Sequence, residues 1–82
     1  MKNLWLFDES RLAILCKLLG CREASGCDLQ ECLAMKRPLM SHHLALLRDR
    51  GIIEERQKGR EKRYRIVPSK RRFVRAAITV AQ

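Results

Sequence analysis

Ser41, His42, Ala45 and Arg48 are spaced so that a helix gathers them on one side, and their chemistry is hydrogen bonding to a partner. Met40, Leu44 and Leu47 stand among them at i, i+4 and i+7, which places those three on the opposite side. The outer side is small and polar rather than crowded with long acids and bases. Such a face can press into a nucleic-acid groove and still offer donors and acceptors to base edges. Pro38 suits the first helical position, where no amide donor is needed, and Gly51 supplies the stop. A helix from Pro38 to Arg50 is about 20 Å long at 1.5 Å per residue. Lys36 and Arg37 add positive charge in the turn before it. His42 faces outward on this pattern, whereas His43 lies beside the apolar stripe, where packing or helix support suits it better.

The composition agrees with a polyanionic partner. The chain has 82 residues and a formal net charge of +9. Residues 1–35 hold four basic and five acidic residues; residues 36–82 hold 14 basic and four acidic. A split of that kind marks one side of a molecule as an electrostatic footprint. The length implies one domain over 1–82 with a small core, of the size often completed by a partner subunit, a metal or a disulfide. Met1 to Phe7 is too short and too apolar for a secretory leader, and no stretch approaches the roughly 18 apolar residues that span a bilayer. The expected compartment is the cytoplasm, with no membrane partner, so Cys16, Cys21, Cys27 and Cys32 are expected as thiols.

The remaining elements follow from local signals. Asp8 is a candidate N-cap with Glu9 behind it, and a helix over Arg11 to Leu19 turns Leu12, Leu15, Leu18 and Leu19 inward before stopping at Gly20. Cys21 to Gly26 reads as a loop or very short strand. A second helix is expected from Asp28 to Met35, with Leu29, Cys32 and Leu33 at i, i+3 and i+4. That spacing makes Cys32 a small apolar filler. A short turn at Lys36-Arg37 then produces a helix-turn-helix over about 28–50. Two strands follow over about 52–67, turning at Gly59, with Tyr64 and Ile66 on one face and Arg63 and Arg65 on the other. Pro68 ends them, and Ser69 could cap a last helix over about 69–80 with Phe73, Ala77 and Val80 on one stripe. The fold class is mainly α with a β-hairpin wing (α+β), a winged helix-turn-helix.

Taken together, Asp8-x-x-Arg11-Leu12-x-Ile14-Leu15, Cys27-Asp28-Leu29, Pro38 to Ile53 with its Ser41-His42-His43-Leu44 core, and Gly59-Arg60-x-x-x-Tyr64-Arg65-Ile66 resemble the ArsR-type family of arsenic- and metal-sensing repressors. The resemblance runs from Asp8 to Ile66. It implies a homodimeric transcriptional repressor that binds a double-stranded DNA operator and loosens when a ligand is sensed. It also implies dimerisation through terminal helices, which leaves Leu4, Trp5 and Phe7 at one end and Phe73, Ala77 and Val80 at the other. Under it Ser41 and His42 face base edges, Arg37 and Arg48 reach bases or flanking phosphates, and Lys36 positions the helix through phosphate. Lys58, Arg60 and Arg63 on the wing follow the backbone or the adjacent minor groove. Arg65 and Lys70-Arg71-Arg72 read equally well as solvated charge.

Arsenic-sensing members of the family often carry three thiols as Cys-x-Cys-Asp-Leu-Cys. Here Ser25 and Gln30 stand at the first and third positions, so only Cys27 is kept. Cys16, Cys21 and Cys27 could form a replacement site for As(III) or another thiophilic ion, or Cys21 and Cys27 a redox pair; the alternative is that no thiol senses anything. The family's zinc site on the last helix is absent, because Val67 to Gln82 contains no His, Asp or Glu. His42 and His43 diverge on a helix and cannot readily share a metal. Catalysis has no support: there is no phosphate-binding Gly-rich loop and no nucleophile elbow, and Glu54 and Glu55 point to opposite faces of a strand. The alternative to operator binding is a winged-helix interaction module for protein or structured RNA.

Overall fold

The computed structural model describes residues 8–81. Helix α1 (Glu9–Leu19) leads through strand β1 (Ala24–Ser25) to α2 (Gly26–Leu33) and α3 (Arg37–Asp49). Strands β2 (Ile53–Lys58) and β3 (Glu61–Ile66) form a hairpin, and a 3-10 turn (Pro68–Lys70) opens into α4 (Arg71–Ala81). The sheet is antiparallel with order β1-β3-β2. No described helix is long and apolar enough to cross a membrane.

Each start and stop has a local cause. The Asp8 carboxylate accepts from the amides of Ser10 (2.9 Å) and Arg11 (3.3 Å), which satisfies two of the orphan donors at the head of α1. Helix α2 begins at Gly26, earlier than the Asp28 expected from the sequence. Ser25 is its cap, accepting from the Asp28 amide at 3.0 Å, while Asp28 reaches back to the Ser25 amide at 3.4 Å. Asp28 therefore closes a capping box in the first turn rather than preceding the helix. Helix α3 starts at Arg37, one residue before Pro38, and Gly51 beyond it adopts φ +75°. Gly59, also at positive φ, lets a two-residue connection reverse the hairpin. Between α2 and α3, Ala34 adopts left-handed backbone at φ 50° and ψ 41°, a conformation disfavoured for a residue with a Cβ by roughly 1–2 kcal/mol.

The core is Ile14, Leu15 and Leu18 of α1, Ala24 of β1, Leu29 of α2 and Met40, Leu44 and Leu47 of α3. Ile52, Ile53, Tyr64 and Ile66 close it from the hairpin, and Val74 from α4. Three sequence expectations are corrected. Ile14 is fully buried, whereas Leu12 is only half-buried, because the inward stripe of α1 is rotated slightly from the leucine pattern. Cys32 is exposed rather than a filler: α2 is short and meets the core along Leu29 and Leu33, which leaves Cys32 outside. Ser69 lies in the 3-10 turn and makes no cap; α4 is instead anchored by Val74, with Ile78 partly buried, and by Arg71 donating to the Leu19 carbonyl at 2.8 Å. Phe73 and Val80 consequently face outward and Ala77 is half-buried, while Leu4, Trp5 and Phe7 lie outside the described residues.

One polar contact crosses the core between α1 and α3. Arg11 donates through Nε to His43 Nδ1 at 3.3 Å, and His43 is buried. Burial holds the His43 imidazole below its ordinary pKa of 6.5, and the nearby Arg11 and His42 act in the same direction against Asp8. The fold thus prefers His43 neutral, with Nδ1 free to accept.

These placements fix the first expected outcomes. Leu47→Ala removes a fully buried side chain and should cost about 2–5 kcal/mol in urea unfolding, whereas Ser25→Ala, losing the cap, should cost about 1 kcal/mol. A lowered histidine pKa makes the unfolded chain take up protons that the folded chain resists. Stability contributed by neutral His43 is therefore complete above pH 6.5 and falls as pH drops through that value. Unfolding curves followed across that range should show the slope in the wild type and lose it in His43→Gln.

Candidate nucleic-acid interface

Burial of Met40, His43, Leu44 and Leu47 leaves the other side of α3 in solvent. Pro38, Leu39, Ser41 and His42 are exposed there, with Ala45 and Leu46 half-buried farther along. The His42 ring touches His43 edge-on, with centroids 5.6 Å apart, yet only His42 reaches out. Lys36 and Arg37 are exposed at the start of the helix. Ser41 and His42 thus occupy the outer face, as their spacing indicates, while His43 takes the packing role.

At the other end of α3 the structure shows a tie that the sequence pattern did not reveal. Arg48 donates through Nη1 to Glu55 of β2 at 3.1 Å and through Nε to Asp49 at 3.4 Å. These carboxylates hold the guanidinium above the usual arginine range, Glu55 first. Glu55 also lies 3.9 Å from Lys62 Nζ. Its opposite number in the ladder is Tyr64, whose phenol is pushed up first by burial and then by the Glu55 charge. Glu55 therefore joins the end of α3 to both strands of the wing, and Arg48 serves that joint.

The wing separates its charges in a similar way. On the sheet face away from the core, Arg56 stands opposite Arg63 and Glu54 opposite Arg65. Glu23, just ahead of β1, accepts from Arg63 Nε at 2.7 Å and from Arg56 Nη2 at 2.8 Å. Those two arginines, Arg56 foremost, lower the Glu23 carboxyl below its ordinary range. Arg63 also donates to Glu61 at 2.7 Å, and Arg65 pairs with Glu54. The face predicted to be cationic is a ladder of paired opposite charges instead. Lys58 and Arg60 at the tip are exposed and make no ion pair among the described residues, nor do Lys36 and Arg37. Of the expected contacts, Lys36, Arg37, Ser41, His42, Lys58 and Arg60 are open to a partner, whereas Arg48 and Arg63 are engaged within the protein.

Glu23 carried no signal in the sequence, because its partners lie 33 and 40 residues away. Glu55 was readable in retrospect from the hairpin register, which sets it against Tyr64. Exposed Leu39 escaped because it sits within an otherwise apolar helix.

The thiols do not converge. Cys16, Cys27 and Cys32 are exposed, and half-buried Cys21 donates from Sγ to the Lys17 carbonyl at 3.3 Å. Among the described residues no group of three His, Cys, Asp or Glu is placed to hold a metal ion. Cys16, Cys21 and Cys27 therefore do not assemble an ion site, and no release step is derived through them.

The chemistry on display is hydrogen bonding from a helix face flanked by unpaired cations, and known proteins share this frame. Residues 8–55 match the family described as bacterial regulatory protein, arsR family. The chain is 41% identical over 63 residues to the arsenical resistance operon repressor of Escherichia coli (strain K12), a match covering 77% of this chain and 54% of that one. The chain thus spans about half the length of the curated relatives it matches. Among solved structures it is similar to the transcriptional repressor BigR from Xylella fastidiosa, with a TM-score of 0.78 and 30% identity over 92% of this chain and 76% of that one. It is also similar to a homodimeric winged helix-turn-helix DNA-binding domain from Mycobacterium bovis, with a TM-score of 0.81 and 27% identity over 90% of this chain and 68% of that one. With its winged helix-turn-helix and a family match over more than half its length, the chain belongs to the ArsR family of bacterial regulatory proteins.

Proposed function

We propose that this chain binds an operator in double-stranded DNA as a homodimer and represses transcription there. The observation that carries the reading is the outer face of α3, where Ser41 and His42 stand exposed while unpaired Lys36 and Arg37 flank them. That helix enters the major groove with its first turns toward base edges. Ser41 and His42 read the edges; Lys36 and Arg37 hold the flanking phosphates. Lys58 and Arg60 at the wing tip follow the backbone or the minor groove beside it. Arg48, tied to Glu55, sets the angle between helix and wing; Arg63, tied to Glu23 and Glu61, stiffens the wing. Outward-facing Phe73 and Val80 on α4, with Ala77 between them, supply a dimer surface, which agrees with the homodimeric relative. The same surfaces support no catalytic step.

The names of the arsenical repressors point to a thiophilic ion, such as trivalent arsenic, as the inducer. Exposed thiols are the side chains on this protein with the required softness, although the described geometry gives no ligand set.

Selection from a random duplex library tests the operator reading: a palindrome should emerge, since two-fold protein symmetry imposes two half-sites. On that sequence His42→Ala should lose affinity for the cognate duplex and little for random DNA. Lys58→Ala and Arg60→Ala should weaken binding to all duplexes and reduce the salt slope by about one each. Equal losses on both duplexes for all three variants would refute this division of labour; preferential competition by structured RNA would favour an RNA-binding module. Arsenite should weaken the wild-type complex in a mobility-shift titration. A chain with all four cysteines changed to serine should bind equally well without arsenite and ignore its addition.

A further inference from the structure

Leu39 has no role so far, and its environment is unusual for a leucine. It is 46% exposed, one of three large apolar side chains turned to solvent among the described residues; the other two, Phe73 and Val80, belong to α4. Leu39 instead stands in the first turn of α3, next but one to Arg37 and one turn before His42. Its neighbours on that surface are polar or cationic, so an apolar partner protein would have to bury Arg37 and Lys36 without compensation. A duplex groove suits both: phosphates for the cations and, for the leucine, the one prominent apolar group that base edges offer in the major groove, the thymine C5 methyl. A leucine has no donor or acceptor with which to read anything else there. The first turn is also the part of a recognition helix that comes nearest to base edges.

We infer that Leu39 is a specificity-determining residue that selects thymine at one position of each half-site through contact with the C5 methyl. The inference rests on the operator reading above and adds to it a base identity that hydrogen bonding by Ser41 and His42 does not encode. The contact excludes water from one methyl group, so its loss should weaken binding about fourfold.

The intact chain is first used to recover its preferred duplex from a random library. Each thymine of the half-site is then replaced singly by deoxyuridine, which keeps all hydrogen-bonding groups and removes only the methyl. The expected result is one position where wild type loses about fourfold and Leu39→Ala loses nothing. Leu39→Met, which keeps an apolar end, should retain the response. Affinity for random duplex should be the same in all three chains, which also reports that the exposed-site variants are folded. A methyl response that survives unchanged in Leu39→Ala, or the lack of any responsive thymine, overturns the inference and leaves operator binding intact. Failure of the wild type to bind duplex DNA at all overturns the operator reading, and this inference with it.

Discussion

Burial of Met40, Leu44 and Leu47 against the rest of the core fixes the rotation of α3 about its own axis. Everything on the outer surface follows from that one constraint. Turned by a single residue's worth of rotation, about 100°, the helix would carry Ser41 and His42 toward its edge and bring apolar side chains into the solvent face. Ile14, Leu15 and Leu18 of α1 and Leu29 of α2 form the wall on which it rests. The Arg11–His43 contact adds a directional element that apolar packing lacks, because a hydrogen bond specifies an angle as well as a distance.

The wing extends this logic with charge in place of volume. Glu55 connects Arg48 at the end of α3 to Lys62 on β3, so helix and hairpin share a carboxylate. Glu23 gathers Arg56 and Arg63 and thereby ties the wing back to the segment before β1. Exposed ion pairs of this kind contribute little to global stability, being screened and entropically costly. Their effect is geometric: they choose among hairpin tilts of nearly equal energy. They also divide the basic residues into those that shape the protein and those available to a polyanion, a division that net charge conceals.

Periodic features were legible from the sequence. The inner stripe of α3, the Asp8 cap, the Gly59 reversal and the facing of Tyr64 and Ile66 each rest on spacing or on a residue with a narrow backbone preference, and the structure agrees on all four. Short or contextual features were not. Helix α2 has eight residues, too few for periodicity to separate Cys32 from Leu33. Ser25 was missed as a cap because it was weighed as a position in a thiol motif. The pairing of Arg48 and Arg63 depended on carboxylates brought near by the fold, and charge counting cannot distinguish a guanidinium bound to Glu23 from one facing water.

Ala34 gives the helix-turn-helix a mechanical property. Its left-handed backbone is held by the packing of α2 against α3 and not by its own preference. If the two helices parted, that residue would relax, and the relaxation would offset part of the contact energy lost. The joint therefore behaves as a spring under compression: the bihelical unit resists small displacements less than its buried contacts suggest, and a groove of slightly different width could be met by a change at this one hinge instead of by distortion of the whole domain.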